Sequence, residues 1–188
     1  AHATQGQLAS DNFRAGAQVL ANMGLTFEAW LYSPQMLELA DFANAVPNLT
    51  IILNHIGGLL RVGPYANHDS EVLAAWRRGI EAVAKCPNIY MKLGGIGMPR
   101  TGFDWHTRRT PIGSEELAAE ISPYLDYCIS QFGPDRCMFE SNFPVDKVSY
   151  SYNILYNAFK RASSSYSKSE RAAMFHDTAS LLYQIDAV

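Results

Sequence analysis

Residues 49–58 read LTIILNHIGG. The first five are apolar or β-branched with no regular polar alternation, as in a strand buried on both faces of a parallel sheet. The run stops at an amide, a histidine and two glycines. Three other stretches share this form: residues 25–31 (LTFEAWL), Ile89–Leu93 (IYMKL) and Cys137–Phe139 within RCMFES. Each ends in polar or glycine-rich residues, and a helical pattern follows each.

After the first run, Ser33 as N-cap and Pro34 in the first turn predict a helix to about Ala45, stopped by Pro47. After the second, a loop leads to a helix beginning at Asp69-Ser70. Val72, Leu73, Trp76, Ile80 and Val83 recur in it at helical spacing, and Pro87 closes it. The third run opens a long loop, residues 94–113. Ser114 then reads as an N-cap, Leu117, Ile121, Leu125, Cys128 and Phe132 as a buried face, and Gly133 as a stop. Pro123 is expected to break this helix in two, with Ser122 capping the second piece. A helix over residues 148–161 follows the fourth run. Ser167-x-x-Glu170 has the form of a capping box for a last helix to about Asp177, with a further short one over residues 179–185. Upstream of the first run, residues 11–23 read as a helix ending at Gly24.

The order is α-β-α-β-α-β-α-β-α-α, which means a parallel sheet with right-handed crossovers. No linker divides residues 1–188, so one domain is expected. An open doubly wound sheet would be complete at this length. A (β/α)8 barrel would be partial, since it needs eight strands and about 250 residues. The pattern leaves both open.

Composition narrows the function classes. With 188 residues, 48% hydrophobic and 18% charged, the chain can bury a substantial core. The net charge of -3 and the scattered basic residues give no reason to expect nucleic acid or a membrane as partner. A small molecule is the expected ligand. Three cysteines, Cys86, Cys128 and Cys137, without a C-x-x-C, argue against a disulfide framework or cysteine zinc site. The first ten residues lack the charged and apolar regions of a signal peptide. A cytoplasmic location is therefore expected.

In either architecture ligands bind at the carboxyl ends of the strands. The first strand carries Glu28 in an apolar run and ends near Trp30: an edge or ion-paired carboxylate, or one facing a barrel interior. His55 follows the second strand directly, beside glycines that let a ligand approach, and is a candidate catalytic or metal-binding residue. Arg61 and Tyr65, in the next loop, could hold an anionic or carbonyl oxygen, or be plain loop surface. Lys92 in the third strand must reach a partner or a solvent-filled site. The loop after it, with Phe103, Trp105 and His106, reads as a lid or substrate-binding segment, or as packing. Arg100, Arg108 and Arg109 there could attract an acidic substrate or simply be solvated. The fourth strand ends in Glu140, Asn142 and Asp146, the densest polar group of the chain and suited to water activation or metal binding. Asp146 could equally cap the following helix. His2, His68 and His176 read as surface or packing residues. No H-E-x-x-H, G-x-S-x-G, P-loop or dinucleotide fingerprint occurs.

The stretches LNHIGG, VGPY, CPNIYMKLGGIGMP, FGPDRCMFESNFPVDK and FHDTASLLYQI together resemble the amidohydrolase-2 family. These are (β/α)8-barrel hydrolases that include sugar lactonases and pyrone-dicarboxylate lactonases. The resemblance covers essentially the whole chain and implies the barrel. It implies that His55 binds metal or polarises the substrate carbonyl, that Glu140 or Asp146 handles the proton of the attacking water, and that Asn142, Lys92, Arg61 and Tyr65 position substrate. Asn142 stands where many relatives have the aspartate of a G-[ST]-D-W-P motif, and an amide cannot act as that base. The family's H-x-H pair, carried on the first barrel strand, has no counterpart here. A divalent metal such as zinc is thus expected only with residues upstream of Ala1. A four-strand piece is also expected to leave two open edges and an exposed apolar interior, and to self-associate. The resemblance implies hydrolysis of a lactone or similar bond in a small organic or sugar acid. Metal-dependent decarboxylation and a non-catalytic half-barrel are the other readings.

Overall fold

The computed structural model describes residues 6–185. His2 therefore lies outside the described residues. The elements are α1 (Asp11–Asn22), β1 (Thr26–Ala29), α2 (Met36–Ala45), β2 (Thr50–Leu53), α3 (Asp69–Ala84), β3 (Ile89–Leu93), α4 (Ser114–Phe132), β4 (Cys137–Phe139) and α5 (Tyr152–Ala162). A final helical stretch follows: α6 (Lys168–Ala172), a π-turn over Ala173–Asp177, and α7 (Thr178–Tyr183).

All four strands are parallel, and their order in the sheet is β1-β2-β3-β4. This order settles the architecture. A doubly wound sheet reverses its strand order at a switch point, sending helices to both faces. Here each strand lies beside the next, so right-handed crossovers put the connecting helices α2, α3 and α4 on one face. That is a segment of a (β/α)8 barrel, with the other face as its interior.

The alternation of side chains agrees. Phe27, Ala29, Ile51, Leu53, Ile89, Met91, Leu93, Cys137 and Phe139 point toward the helices and join one hydrophobic core with Phe42, Trp76, Ile80, Leu125 and Phe159. Glu28, Ile52, Tyr90, Lys92 and Met138 occupy the opposite face. Its apolar members, Ile52 and Met138, are buried, and Glu28 and Lys92 pair across it. The expected exposed apolar interior is thus corrected: this face is largely polar. Both outer strands, β1 and β4, have one unpaired edge among the described residues.

Local expectations met four corrections, the first at Ser114, which is the first residue of α4 and follows the N-cap Gly113. Ser33 does not cap a helix. A 3-10 turn, Ser33–Gln35, precedes α2, and Gln35 Oε1 accepts from the Tyr32 N–H at 3.1 Å. Pro123 does not break α4. Pro123 and Ala119, whose carbonyl loses its helical donor, are both exposed, so water can serve that carbonyl while Leu117, Ile121, Leu125 and Cys128 hold the buried face. The helix after β4 begins at Tyr152 rather than Val148, because Ser151 caps it by accepting from the Ile154 N–H. The capping box at Ser167 and Glu170 forms as expected.

Candidate active site

The chain leaves β2 through an uncommon turn. Asn54 continues the ladder by donating to Ala29 O. His55, Ile56, Gly57 and Gly58 then all take left-handed conformations, with φ of 57°, 47°, 74° and 62°. For His55 and Ile56 this costs about 1–2 kcal/mol each. The surroundings hold the turn: Trp76 Nε1 donates to Ile56 O at 2.8 Å, and the His55 N–H donates to Glu140 Oε1 at 3.1 Å. Gly58 is required, because a Cβ there would fall inside Leu31 O of the neighbouring strand end.

The turn delivers the imidazole to β4. His55 Nδ1 lies 2.6 Å from Glu140 Oε1, and the two side chains are only 11% and 15% exposed. A carboxylate only accepts, so Nδ1 carries a proton, and in the neutral imidazole Nε2 then keeps its lone pair. Nε2 has no protein partner among the described residues. The glycines after β3 make this approach feasible. A Cβ on Gly95 would lie 2.5 Å from His55 Cγ and Nδ1, one on Gly94 would collide with Glu140, and one on Gly97 would come within 2.9 Å of Asp146 Oδ2. Sequence reasoning missed this cradle, although three glycines in four residues directly after a strand were its visible signal.

Asp146 is fully buried. Its carboxyl accepts from the Gly97 N–H (2.8 Å), the Tyr150 hydroxyl (2.8 Å) and Asn142 Nδ2 (2.7 Å). Burial pushes its pKa up even though all three donors favour the charged form. It caps no helix; it ties the loops after β3 and β4 together. Asn142, with φ of 51°, is turned toward that brace.

On the inner face Lys92 Nζ donates to Glu28 Oε2 at 2.8 Å, and Tyr183, from the end of α7, donates its hydroxyl to Glu28 Oε1. Burial raises the Glu28 pKa, but Lys92, Tyr183 and Asn54 outweigh it and hold the carboxyl below its ordinary value. Burial works against the Lys92 ammonium, yet Glu28 and Tyr183 hold its pKa up. Tyr183 was not foreseen; no local pattern links it to residues 155 positions away.

Trp30 is 47% exposed and meets the His55 ring edge-on at 6.2 Å. The structure does not bring Arg61 or Tyr65 to this group. Arg61 forks onto Asp69 at 3.0 and 2.7 Å, and Tyr65 packs against the core. The loop after β3, read as a lid or substrate-binding segment or as packing, forms a wall anchored in the core, while residues 106–111 stay exposed. Trp105, Thr101, Met98 and Ile112 are buried, and Trp105 Nε1 donates to Glu120 at 2.8 Å. Arg108 spends its charge on Glu116 and Glu120.

Among the described residues, no three His, Cys, Asp or Glu side chains lie together as a metal would require. His68 and His176 are exposed beside Glu71 and Asp177. His55 offers one nitrogen, backed by Glu140 as metal-bound imidazoles are commonly backed. These residues alone do not form a zinc site.

A family model for amidohydrolases matches residues 2–185. The chain belongs to the amidohydrolase family. The uncharacterized protein y4mH of Sinorhizobium fredii is 36% identical over 173 residues, covering 92% of this amidohydrolase chain and 52% of the relative. An L-fucono-1,5-lactonase of Burkholderia multivorans is 27% identical over 175 residues, covering 93% of this chain and 56% of the relative. A Burkholderia multivorans amidohydrolase crystallised with bound zinc superposes with a TM-score of 0.81 at 25% identity, covering 96% of this chain and 60% of that one. The amidohydrolase chain described here thus spans about half the length of the curated relatives it matches.

Proposed function

We propose that the protein hydrolyses a lactone of a small organic or sugar acid, with the His55–Glu140 pair at the centre of the chemistry. The observation that carries this reading is the 2.6 Å contact between Nδ1 and Oε1, which in the neutral imidazole leaves Nε2 to act as a base. Kinship with a protein named as a sugar lactonase supports the substrate class.

In the proposed step a water molecule gives its proton to His55 Nε2 as its oxygen bonds to the lactone carbonyl carbon. The ring C–O bond then breaks, and the imidazolium returns the proton to the departing alkoxide. Glu140 fixes the tautomer and stabilises the imidazolium, as the carboxylate does in a hydrolytic triad. On this reading His55 acts as the base, where the family resemblance implies metal binding or polarisation of the carbonyl. Asp146, fully buried and occupied by three donors, braces the site instead of activating water. Lys92 and Glu28 line the inner face beneath the site. A zinc ion held there with residues outside this chain would instead take up the Nε2 lone pair, supply Lewis-acid polarisation of the carbonyl, and leave the water proton to another group.

The test is acid release from L-fucono-1,5-lactone and related aldonolactones in a pH-stat, using the full-length protein. His55→Ala lowers kcat/KM by at least about a hundredfold, the scale of a lost general base. A near-normal rate removes His55 from the mechanism.

A further inference from the structure

Arg100 comes from the wall that follows β3 and reaches across to the end of β1. Its guanidinium carbon lies 5.2 Å from the centre of the Trp30 ring and 5.6 Å from that of Tyr32. One of its nitrogens donates to the Tyr32 hydroxyl at 2.6 Å. Trp30 and Tyr32 pack edge to face at 5.2 Å. The cation is thus held by two aromatic faces and one neutral acceptor, half-buried. No carboxylate lies within ion-pair distance of it among the described residues, whereas Arg61 is paired with Asp69, Arg108 with Glu116 and Glu120, and Arg136 caps main-chain carbonyls.

We propose that Arg100, fixed by Trp30 and Tyr32, is an anion-binding residue of the active site, and that the substrate is a lactone bearing a carboxylate. The second half of this statement rests on the lactone-hydrolase reading above; the first does not. A half-buried guanidinium without a counter-ion keeps its charge for a ligand. Its remaining N–H groups form a planar fork that matches a carboxylate. The position fits the chemistry as well. Trp30 packs against both Arg100 and His55, and its ring is 47% exposed. One indole therefore adjoins both the guanidinium and the imidazole. A five- or six-membered ring lying along that indole would present its ester to His55 and a carboxylate on its side chain to Arg100.

The test uses two lactones with the same ring, D-glucaro-1,4-lactone, which carries a carboxylate, and D-glucono-1,4-lactone, which carries a hydroxymethyl group in its place. The full-length protein prefers the first by at least about tenfold in kcat/KM. Arg100→Gln narrows that preference to within about threefold, mainly through KM, and Arg100→Lys lies between. Equal use of both lactones by the unmodified protein, or an equal slowing of both by Arg100→Gln, overturns the proposal. Calorimetric titration with D-glucarate separates the two readings. Glucarate binding that Arg100→Gln abolishes, with neither lactone hydrolysed, sustains the anion site and rejects the hydrolase reading. Lactone hydrolysis without Arg100-dependent glucarate binding does the reverse. Should either variant fail to fold, the lactone preference and glucarate binding of the unmodified protein still decide.

Discussion

At the scale of single residues, the site is an exercise in close approach. His55 and Ile56 accept left-handed backbone, and the contacts of Trp76 and Glu140 offset that cost. Gly95 leaves no room for a side chain against the imidazole, and its own φ is +64°. Gly95→Ala therefore displaces His55 and strains the loop. We expect a loss of about 2–3 kcal/mol in stability and a larger fall in lactone turnover than in substrate binding, measured by denaturant unfolding and steady-state kinetics. The Glu28–Lys92 pair makes a second prediction. The folded-state pKa of Glu28 is depressed, so its contribution is present above the ordinary carboxylate value and is lost as pH falls through the depressed one. The folded-state pKa of Lys92 is raised, so its contribution is present below the ordinary lysine value and is lost as pH rises through the raised one. The Glu28 side chain is 38% exposed, and solvent screening reduces the pair to about 0.5–1 kcal/mol. Glu28→Gln should lower the thermal midpoint at neutral pH, with the deficit closing in acid; a deficit that persists unchanged at low pH would mean that packing, not charge, is lost.

At the scale of elements, periodicity located what local physics controls. The strands at Ile89–Leu93 and Cys137–Phe139 stand where the apolar runs placed them, as do the buried faces of α3 and α4. Element starts were less legible where a serine offered a cap that the chain did not use, as at Ser33. Pro123 shows tertiary packing overriding propensity: α4 runs through it because its buried face is continuous. Its cost remains, about 3 kcal/mol relative to alanine in a helix interior, offset by about 1 kcal/mol from the stiffer unfolded chain. Pro123→Ala should therefore stabilise the protein by about 2 kcal/mol in urea unfolding. No gain would show that the helix bends to relieve the proline.

At the scale of the molecule, four strands in sequential order form an arc of a barrel, with an unpaired edge on each side among the described residues. Unpaired strand edges are templates for further pairing. We propose that the 188-residue chain, prepared alone, associates through β1 and β4. Sedimentation velocity should show a weight-average mass that rises with protein concentration, and a concentration-independent monomer would refute edge pairing. The three cysteines are buried and free, so oxidation should not be needed for this association. Among the described residues no helix is long and apolar enough to cross a membrane.

The amino-acid sequence by itself determined the alternation of strands and helices, the family, and the carboxyl strand ends as the place where His55, Glu140 and Asp146 stand. These depend on local periodicity and on motifs contiguous in the chain. It did not determine which polar residues meet. Only the folded chain joined His55 to Glu140 across 85 positions, turned Asp146 into a buried brace, sent Arg61 to Asp69 and left Arg100 without a carboxylate partner among the described residues. Such pairings depend on strand register and loop path, which bring together side chains whose separation along the chain carries no information about their distance in space.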